Sequence, residues 1–457
     1  MMLPWQKRPL ALNSPRDLPG LALWLDSKDV SSLRNDAGAQ PVTTDGIKLA
    51  SDKSGNSSTN VLCLNGVAGN YASSPSGALN QPGDNFEIIW YGQLASWTAP
   101  AATQVLMAKR SAAGAATTTF SFFIAATTGF FALVISNGTS TATPASNAAA
   151  SFSDFQAGYI KATYERNTGG GNYAFKVYSS PDGVTYTQIG ATQTGASIGA
   201  TRAGTEVLEI GSQLTGTSLP LTGNCYYASL AKSVGGVPTT IFAPATASKL
   251  APSFVASTGE TWTINTSGAT GARISGARDL YQGTAANQPI LTIAAAGNYL
   301  TFDGSNDYLK AAAFALAQPE TVYFVGSQVT WTSTDRLYDG NTGASMTLRQ
   351  VVGTPQLGIT AGSSLNGASL TLATNGVVTS VFNGASSAVR VNRTAAITGD
   401  AGVLGNGGGF TLGSANDGTL NANITAQEVV VYSGAHDKAT QERVIAMLAR
   451  NNRIALT

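Results

Sequence analysis

Histidine and cysteine are almost missing from this chain of 457 residues, which has one His and two Cys. A lone His436 excludes any cluster of imidazole ligands and leaves a single candidate base for a nucleophilic hydrolase. Cys63 and Cys225 are too few for a disulfide framework or a zinc site, and both sit in strand-like runs, so they read as small buried hydrophobes. Charge is scarce as well: charged residues make up 11%, against roughly 25% in an average soluble domain. Lys plus Arg at 26 and Asp plus Glu at 25 leave a net charge of +1. No basic run follows a phosphate backbone, which argues against nucleic acid as a partner. No apolar run approaches the roughly 18 residues of a membrane span, and "MMLPWQKRPLALNSPRD" lacks the apolar core of a signal peptide. The expectation is a soluble, unprocessed chain without membrane insertion.

What the chain does have is length for two or more domains and a surface of Gly, Ala, Ser, Thr and Asn in place of charge. Short runs rich in Val, Ile, Thr, Phe and Tyr, such as "FEIIWYGQL", "FSFFIAA", "FFALVIS" and "YIKATYE", are separated by Gly, Asn, Ser and Asp turns. That is the pattern of an all-β sandwich. In "NYAFKVYSSPDGVTYTQIG" two runs flank Pro181-Asp182-Gly183, a hairpin signal that brings Tyr178 and Tyr186 near each other. The one convincing helix closes the chain, "HDKATQERVIAMLARNNRIAL", with Val444, Ile445, Leu448 and Ala449 at helical spacing and Asp437 as its cap.

An internal repeat organises the rest. "VLCLNGVAGNYASSPSGALNQPGDNFEIIWYGQLASWT" aligns with "YLTFDGSNDYLKAAAFALAQPETVYFVGSQVTWT". Leu62 and Leu64 fall on Leu300 and Phe302, Gly66 on Gly304, Tyr71 on Tyr308 and Trp97 on Trp331. Further on, Gly211 and Ser212 fall on Gly413 and Ser414, and Cys225 lands on Ile424. The expectation is two tandem antiparallel β-sandwich domains with an extended N-terminal arm and a C-terminal helix. The arm is residues 1–16, the first sandwich 17–240, a proline-bearing linker 241–254, and the second sandwich 255–457.

With "LPGLALWLD", "DKSGN", "YLTFDGSNDYL", "VTSVFNGASSAVRVN" and "ATQERVIAMLARNNRI", the chain resembles the laminin G-like group of the concanavalin A-like lectin/glucanase superfamily. That resemblance implies a two-sheet jelly roll. Tandem versions rich in Gly, Ala, Ser and Thr resemble structural proteins of tailed bacteriophages, which implies a virion location. The function expected is then a tail fibre or host-attachment component, with capsid-surface decoration and a polysaccharide-degrading enzyme as alternatives. Repeat one departs from the family pattern in having "LNGVAGNYA" where an acidic turn is usual, and repeat two lacks the opening "LWLD".

The candidate sites follow from the same residues. The glucanase branch uses a Glu-x-Asp-x-x-Glu strand; the nearest stretch here is "EVLEIG", whose Glu206 and Glu209 point to opposite faces of a strand, so no catalytic residue is assigned. His436 beside Asp437 reads as a helix-start histidine, and "GVLGNGGGF" as a turn before a strand rather than a phosphate loop. Calcium is the one candidate cofactor, through Asp303 and Asp307 in "DGSND", although their spacing does not wrap a cation and repeat one offers uncharged Asn65 and Asn70. Aromatic stacking under a sugar points to Trp97, Trp331, Tyr338 and Asn341 as candidate carbohydrate-binding residues. In the N-terminal arm, Trp5 is the expected anchor on other virion proteins. Host-surface glycans and further copies of the chain in a symmetric oligomer complete the expected partners.

Overall fold

In the computed structural model of this chain, the described residues are 11–456 apart from 269–270, 296, 313 and 343–344. Among them the fold is all-β, built of antiparallel strand pairs with a single α-helix, Lys438–Asn451. Alternation explains the strands. In Asn85–Leu94, Phe86, Ile88, Trp90 and Leu94 are buried while Ile89, Tyr91 and Gln93 on the other face are half-buried, as a pleat of period two requires.

The chain divides into two compact units. One, the host unit, joins the segment up to Ser57 with everything from Arg278 onward; the other, the inserted unit, is Ser58–Ala277. Among the described residues each contains two sheets, with eight and nine strands in the host unit and nine in each sheet of the inserted unit. Leu23, Phe302, Phe324, Tyr338 and Phe410 lie in the host core, and Leu62, Trp90, Trp97, Phe120 and Trp262 in the inserted one.

This division differs from the expected cut at 241–254. At the two ends of that stretch Pro238–Phe242 pairs with Thr222–Ala231 and Ser253–Val255 pairs with Thr261–Asn265, and beyond it Trp262 is fully buried in the inserted core. The sequence reading also missed where the host unit finds its first strand. Leu21–Asp26, the "LALWLD" run, pairs with Asn423–Ser433 through Trp24 opposite Val430 and Asp26 opposite Glu428. The opening strand that the second repeat seemed to lack is therefore supplied from the other end of the chain.

Hairpin geometry makes the insertion possible. Leu49–Ala50 and Leu280–Tyr281 are antiparallel neighbours in the host unit, and the Arg278 amide donates to Ser57 Oγ at 2.9 Å. In the inserted unit Asn60 stands opposite Gly276, so its two ends also lie side by side. A domain whose termini are adjacent can replace a turn without pulling the flanking strands apart.

The repeat itself is seen strand by strand. Leu62 opposite Cys225 matches Leu300 opposite Ala426, and Gly92 opposite Cys225 matches Gly326 opposite Ala426. Cys225 thus corresponds to Ala426, two residues from the expected Ile424. Both sheets are bulged after this point. A Cβ on Gly92 would meet Asn224 O at 2.2 Å and one on Gly326 would meet Thr425 O at 1.9 Å. Gly211 and Gly413 recur in the same way, each with positive φ and no room for a Cβ beside Leu64 or Phe302.

Trp5 and residues 1–10 of the expected arm lie outside the described residues. From residue 11 the arm is not free. Leu12 is buried against the C-terminal helix, the Arg450 guanidinium donates to its carbonyl at 2.7 Å, and Tyr432 OH donates to Pro15 O at 2.8 Å. The helix is where periodicity placed it, with Asp437 accepting from the Thr440 amide.

Candidate functional site

Helix Lys438–Asn451 covers the outward face of one host sheet. Val325 and Val377, directly opposite each other on strands Glu320–Gln328 and Gly376–Phe382, are fully buried with Tyr323, Val430, Val444, Ile445 and Leu448. In the inserted unit the matching pair is Tyr91 on Asn85–Leu94 and Tyr159 on Ala157–Glu165. No α-helix lies among the described residues of that unit, and both tyrosines remain half-buried.

Around this pair the outward face is a layer of phenols. Tyr91 and Tyr159 stack at 4.0 Å with 8° between their planes, and Tyr226 leans on Tyr91 at 5.0 Å. Lys161, one step along the strand on the same face, holds its ammonium 5.0 Å from the Tyr178 ring and 4.1 Å from that of Tyr186. Tyr227 joins from strand Thr222–Ala231, so six of the chain's 15 tyrosines gather on one sheet face. Gln93 fixes one end of the layer. Its Oε1 accepts from Tyr226 OH and Asn224 Nδ2, each at 3.0 Å, while its Nε2 donates to Phe155 O. At the other end, Asp182 clamps the hairpin by accepting from the Val184 and Thr185 amides, which hold its carboxyl down at about 2. That hairpin brings Gly183 against the Tyr159 ring, where a Cβ would sit 2.8 Å from the ring carbon.

Burial pushes the Tyr186 hydroxyl up to about 12 and also raises those of Tyr91 and Tyr159. These three phenols are therefore neutral donors and acceptors at physiological pH. Together they offer half-exposed aromatic surface, hydroxyls and one ammonium. That chemistry suits a ligand rich in hydroxyl groups.

Of the residues singled out from sequence, Trp97 and Tyr338 are fully buried. Trp97 packs on Trp90 and Phe152 and donates to Gln156 O, while Tyr338 stacks on Phe410. Neither offers a ring face to a sugar. Trp331 is partly buried, and the Asn341 amide donates to Asn406 O at 2.8 Å. These four residues are not part of the tyrosine face. Asp303 Oδ1 accepts from Ser305 and Asn306 within its own turn, and Asp307 Oδ2 accepts from the Asp303 amide. Among the described residues no group of three or more His, Cys, Asp or Glu side chains is placed to hold a metal ion.

Glu206 pairs with Arg202 at 2.7 Å, whereas Glu209 accepts from the Thr215 and Gly216 amides. Each carboxylate is thus engaged separately. His436 Nδ1 lies 2.9 Å from Tyr323 OH beneath the helix start, and burial lowers its pKa. Sequence reasoning found Tyr178 and Tyr186 but not Tyr91, Tyr159, Tyr226 and Tyr227. The available signal was period two in "EIIWYGQ" and "GYIKATY", which puts Tyr91, Tyr159 and Lys161 on the outward side.

No known family model matches the chain, and no curated protein sequence matches it. Among solved structures it is similar to the mouse laminin α1 chain domains LG4-5, at 9% identity over 82% of this chain and 93% of that one, with a TM-score of 0.31. It is also similar to a putative carbohydrate binding protein from Bacteroides ovatus, at 10% identity over 52% and 61%, TM-score 0.33. The CBM40 of the Ruminococcus gnavus IT-sialidase, bound to α2,3-sialyllactose, is 12% identical over 37% and 90%, TM-score 0.26. At these scores the likenesses assign neither family nor ligand to this chain.

Proposed function

We propose that this chain is a non-catalytic, glycan-binding attachment protein and that its contact surface is the tyrosine face of the inserted unit. The observation that carries this reading is the contrast between paired positions. Val325 and Val377 are closed over by a helix, whereas Tyr91 and Tyr159 are half-buried. The face is mainly phenolic, with Lys161 opposite Ile89 on it, and so differs from the mainly aliphatic core that an obligate protein interface presents.

The setting proposed for it is the surface of a tailed-bacteriophage particle, on a tail fibre or another host-contacting appendage. This part rests on the sequence resemblance alone. Immunogold labelling of intact particles tests it, with label on the tail supporting attachment and label confined to the capsid supporting decoration. A glycan array probed with the whole chain tests the binding reading. Signals that vanish in Tyr159→Ala support it, and a blank array contradicts it.

A further inference from the structure

The opening strand and the C-terminal helix of the host unit meet at three side chains, Lys28, Glu428 and Asn452. Lys28 lies just past strand Leu21–Asp26, Glu428 lies on Asn423–Ser433, and Asn452 caps the C-terminal end of the helix. Asp26 and Glu428 stand opposite each other across the strand pair, a like-charge arrangement that is unfavourable without a cation between them. The Lys28 ammonium fills that place, donating to Glu428 Oε2 at 2.7 Å and lying 2.9 Å from Asp26 Oδ1. Asp26 is also paired with Lys53 at 3.0 Å.

An ion pair needs no carboxamide, yet Asn452 completes a triangle with it. Asn452 Oδ1 accepts from Lys28 Nζ at 2.8 Å, while its Nδ2 donates to the same Glu428 Oε2 at 2.8 Å and to Leu448 O at 2.8 Å. Glu428 and Asn452 are 2% and 3% exposed. Glu428 Oε1 accepts from Trp24 Nε1 at 2.8 Å, which holds the carboxylate in place, and the Lys53 ammonium lies over the Trp24 ring. In the inserted unit the position of Glu428 is held by Tyr227, since Val325 stands opposite Glu428 as Tyr91 stands opposite Tyr227. The buried acid is therefore no requirement of the fold.

These are the parts of an amide-forming reaction: an amine, a carboxamide whose oxygen it already touches, and one carboxylate oxygen in contact with both nitrogens. Glu428 takes a proton from the Lys28 ammonium, and the neutral amine adds to Asn452 Cγ. The Nζ–Cγ bond forms and the Cγ–Nδ2 bond breaks. Of the three protons on Nζ, one stays in the new amide and two pass through Glu428 to the departing nitrogen, which leaves as ammonium. Glu428 ends as the carboxylate it began as, and no oxidant or other reactant is consumed. Holding the amine beside its target in a packed interior supplies the proximity that such a step needs.

We propose that Lys28 and Asn452 join spontaneously in an intramolecular amide bond, with Glu428 carrying protons from the amine to the leaving nitrogen. The bond ties the opening strand to the end of the helix, across the whole of the inserted unit, so the host unit cannot release its first strand. A cross-link between positions so far apart in the chain also removes freedom from the unfolded state. The site is separate from the tyrosine face and does not depend on it.

The test is tryptic digestion and mass spectrometry of the full chain, purified and then incubated at neutral pH. In the wild type, residues 17–34 should appear uncut at Lys28 and joined to residues 451–453, lighter than the two separate peptides by one ammonia. Lys28→Arg, which keeps the cation, and Glu428→Gln, which cannot carry the proton, should each give unjoined peptides, with melting to confirm that they fold. Cleavage at Lys28 and a free Asn452 peptide in the wild type would mean an ion pair alone and overturn the proposal, whatever the variants do. A joined peptide in Glu428→Gln would overturn the role given to the carboxylate.

Discussion

Tyr91 and Tyr159 stack at 4.0 Å on the strand positions that Val325 and Val377 hold in the host unit. One fold thus appears twice in this chain with its outward face resolved in two ways. In the host unit that face is aliphatic and buried by a helix. In the inserted unit it is phenolic and half-exposed, and a face left in that state is one available for recognition.

Excising residues 58–277 and rejoining Ser57 to Arg278 through a short linker should leave a folded host unit. The two residues already share a hydrogen bond of 2.9 Å. Expressed alone, 58–277 should fold too. Each product should melt cooperatively by calorimetry; a product that shows no transition would refute the insertion as drawn.

Much of this was legible in the sequence, and the missing part has a physical cause. The repeat could be read because Gly66, Gly304, Gly211 and Gly413 sit where the backbone turns or a neighbour crowds out any side chain. Those positions recur whatever the surface does. The domain boundary could not be read, because strand pairing between Trp24 and Val430 is set by tertiary register and leaves no local mark. The tyrosine face was half legible. Period two assigns Tyr91 and Tyr159 outward, but whether a helix covers them depends on residues far away in the chain.

Stability of the host unit should fall as pH rises from about 4.5 to about 8. Burial pushes the Glu320 carboxyl up to about 8 in the folded state, above the ordinary glutamate value, so the folded state retains a proton that the unfolded chain has released. Its stabilising effect is complete below the lower value and lost through the upper one. Glu320→Gln should flatten this dependence and raise stability above pH 8 by on the order of a few kcal/mol, read by urea unfolding at pH 5 and pH 9. An unchanged slope would contradict the assignment.

Asp307→Asn should be stabilising at pH 7. Burial pushes the Asp307 carboxyl up to about 6, partly opposed by the Asp303 amide it accepts from. The equivalent residue of the inserted unit is Asn70, which accepts from the Ser267 and Ala272 amides. Since the folded value lies above the ordinary one, stability is lost as pH rises to about 6, and the neutral amide removes that loss, worth about 1–3 kcal/mol. Treatment with a chelator should leave the melting temperature of the wild type unchanged. A drop of several degrees would restore Asp303 and Asp307 as calcium ligands.

Gly326→Ala should destabilise the host unit by about 2–4 kcal/mol, because its Cβ would meet Thr425 O at 1.9 Å. Gly92→Ala should do the same to the inserted unit through Asn224 O at 2.2 Å. Calorimetry that resolves the two transitions should show one shift per variant. Both transitions moving together would mean that the units do not unfold separately.

Titration calorimetry of the whole chain with the best glycan from an array, set beside Tyr159→Ala, Lys161→Gln and Val325→Ala, tests the binding account most directly. Tyr159→Ala and Lys161→Gln should each weaken binding at least tenfold with the fold intact, while Val325→Ala, beneath the helix, should leave affinity unchanged. Equal affinity in the wild type, Tyr159→Ala and Lys161→Gln would contradict the tyrosine face as the contact surface.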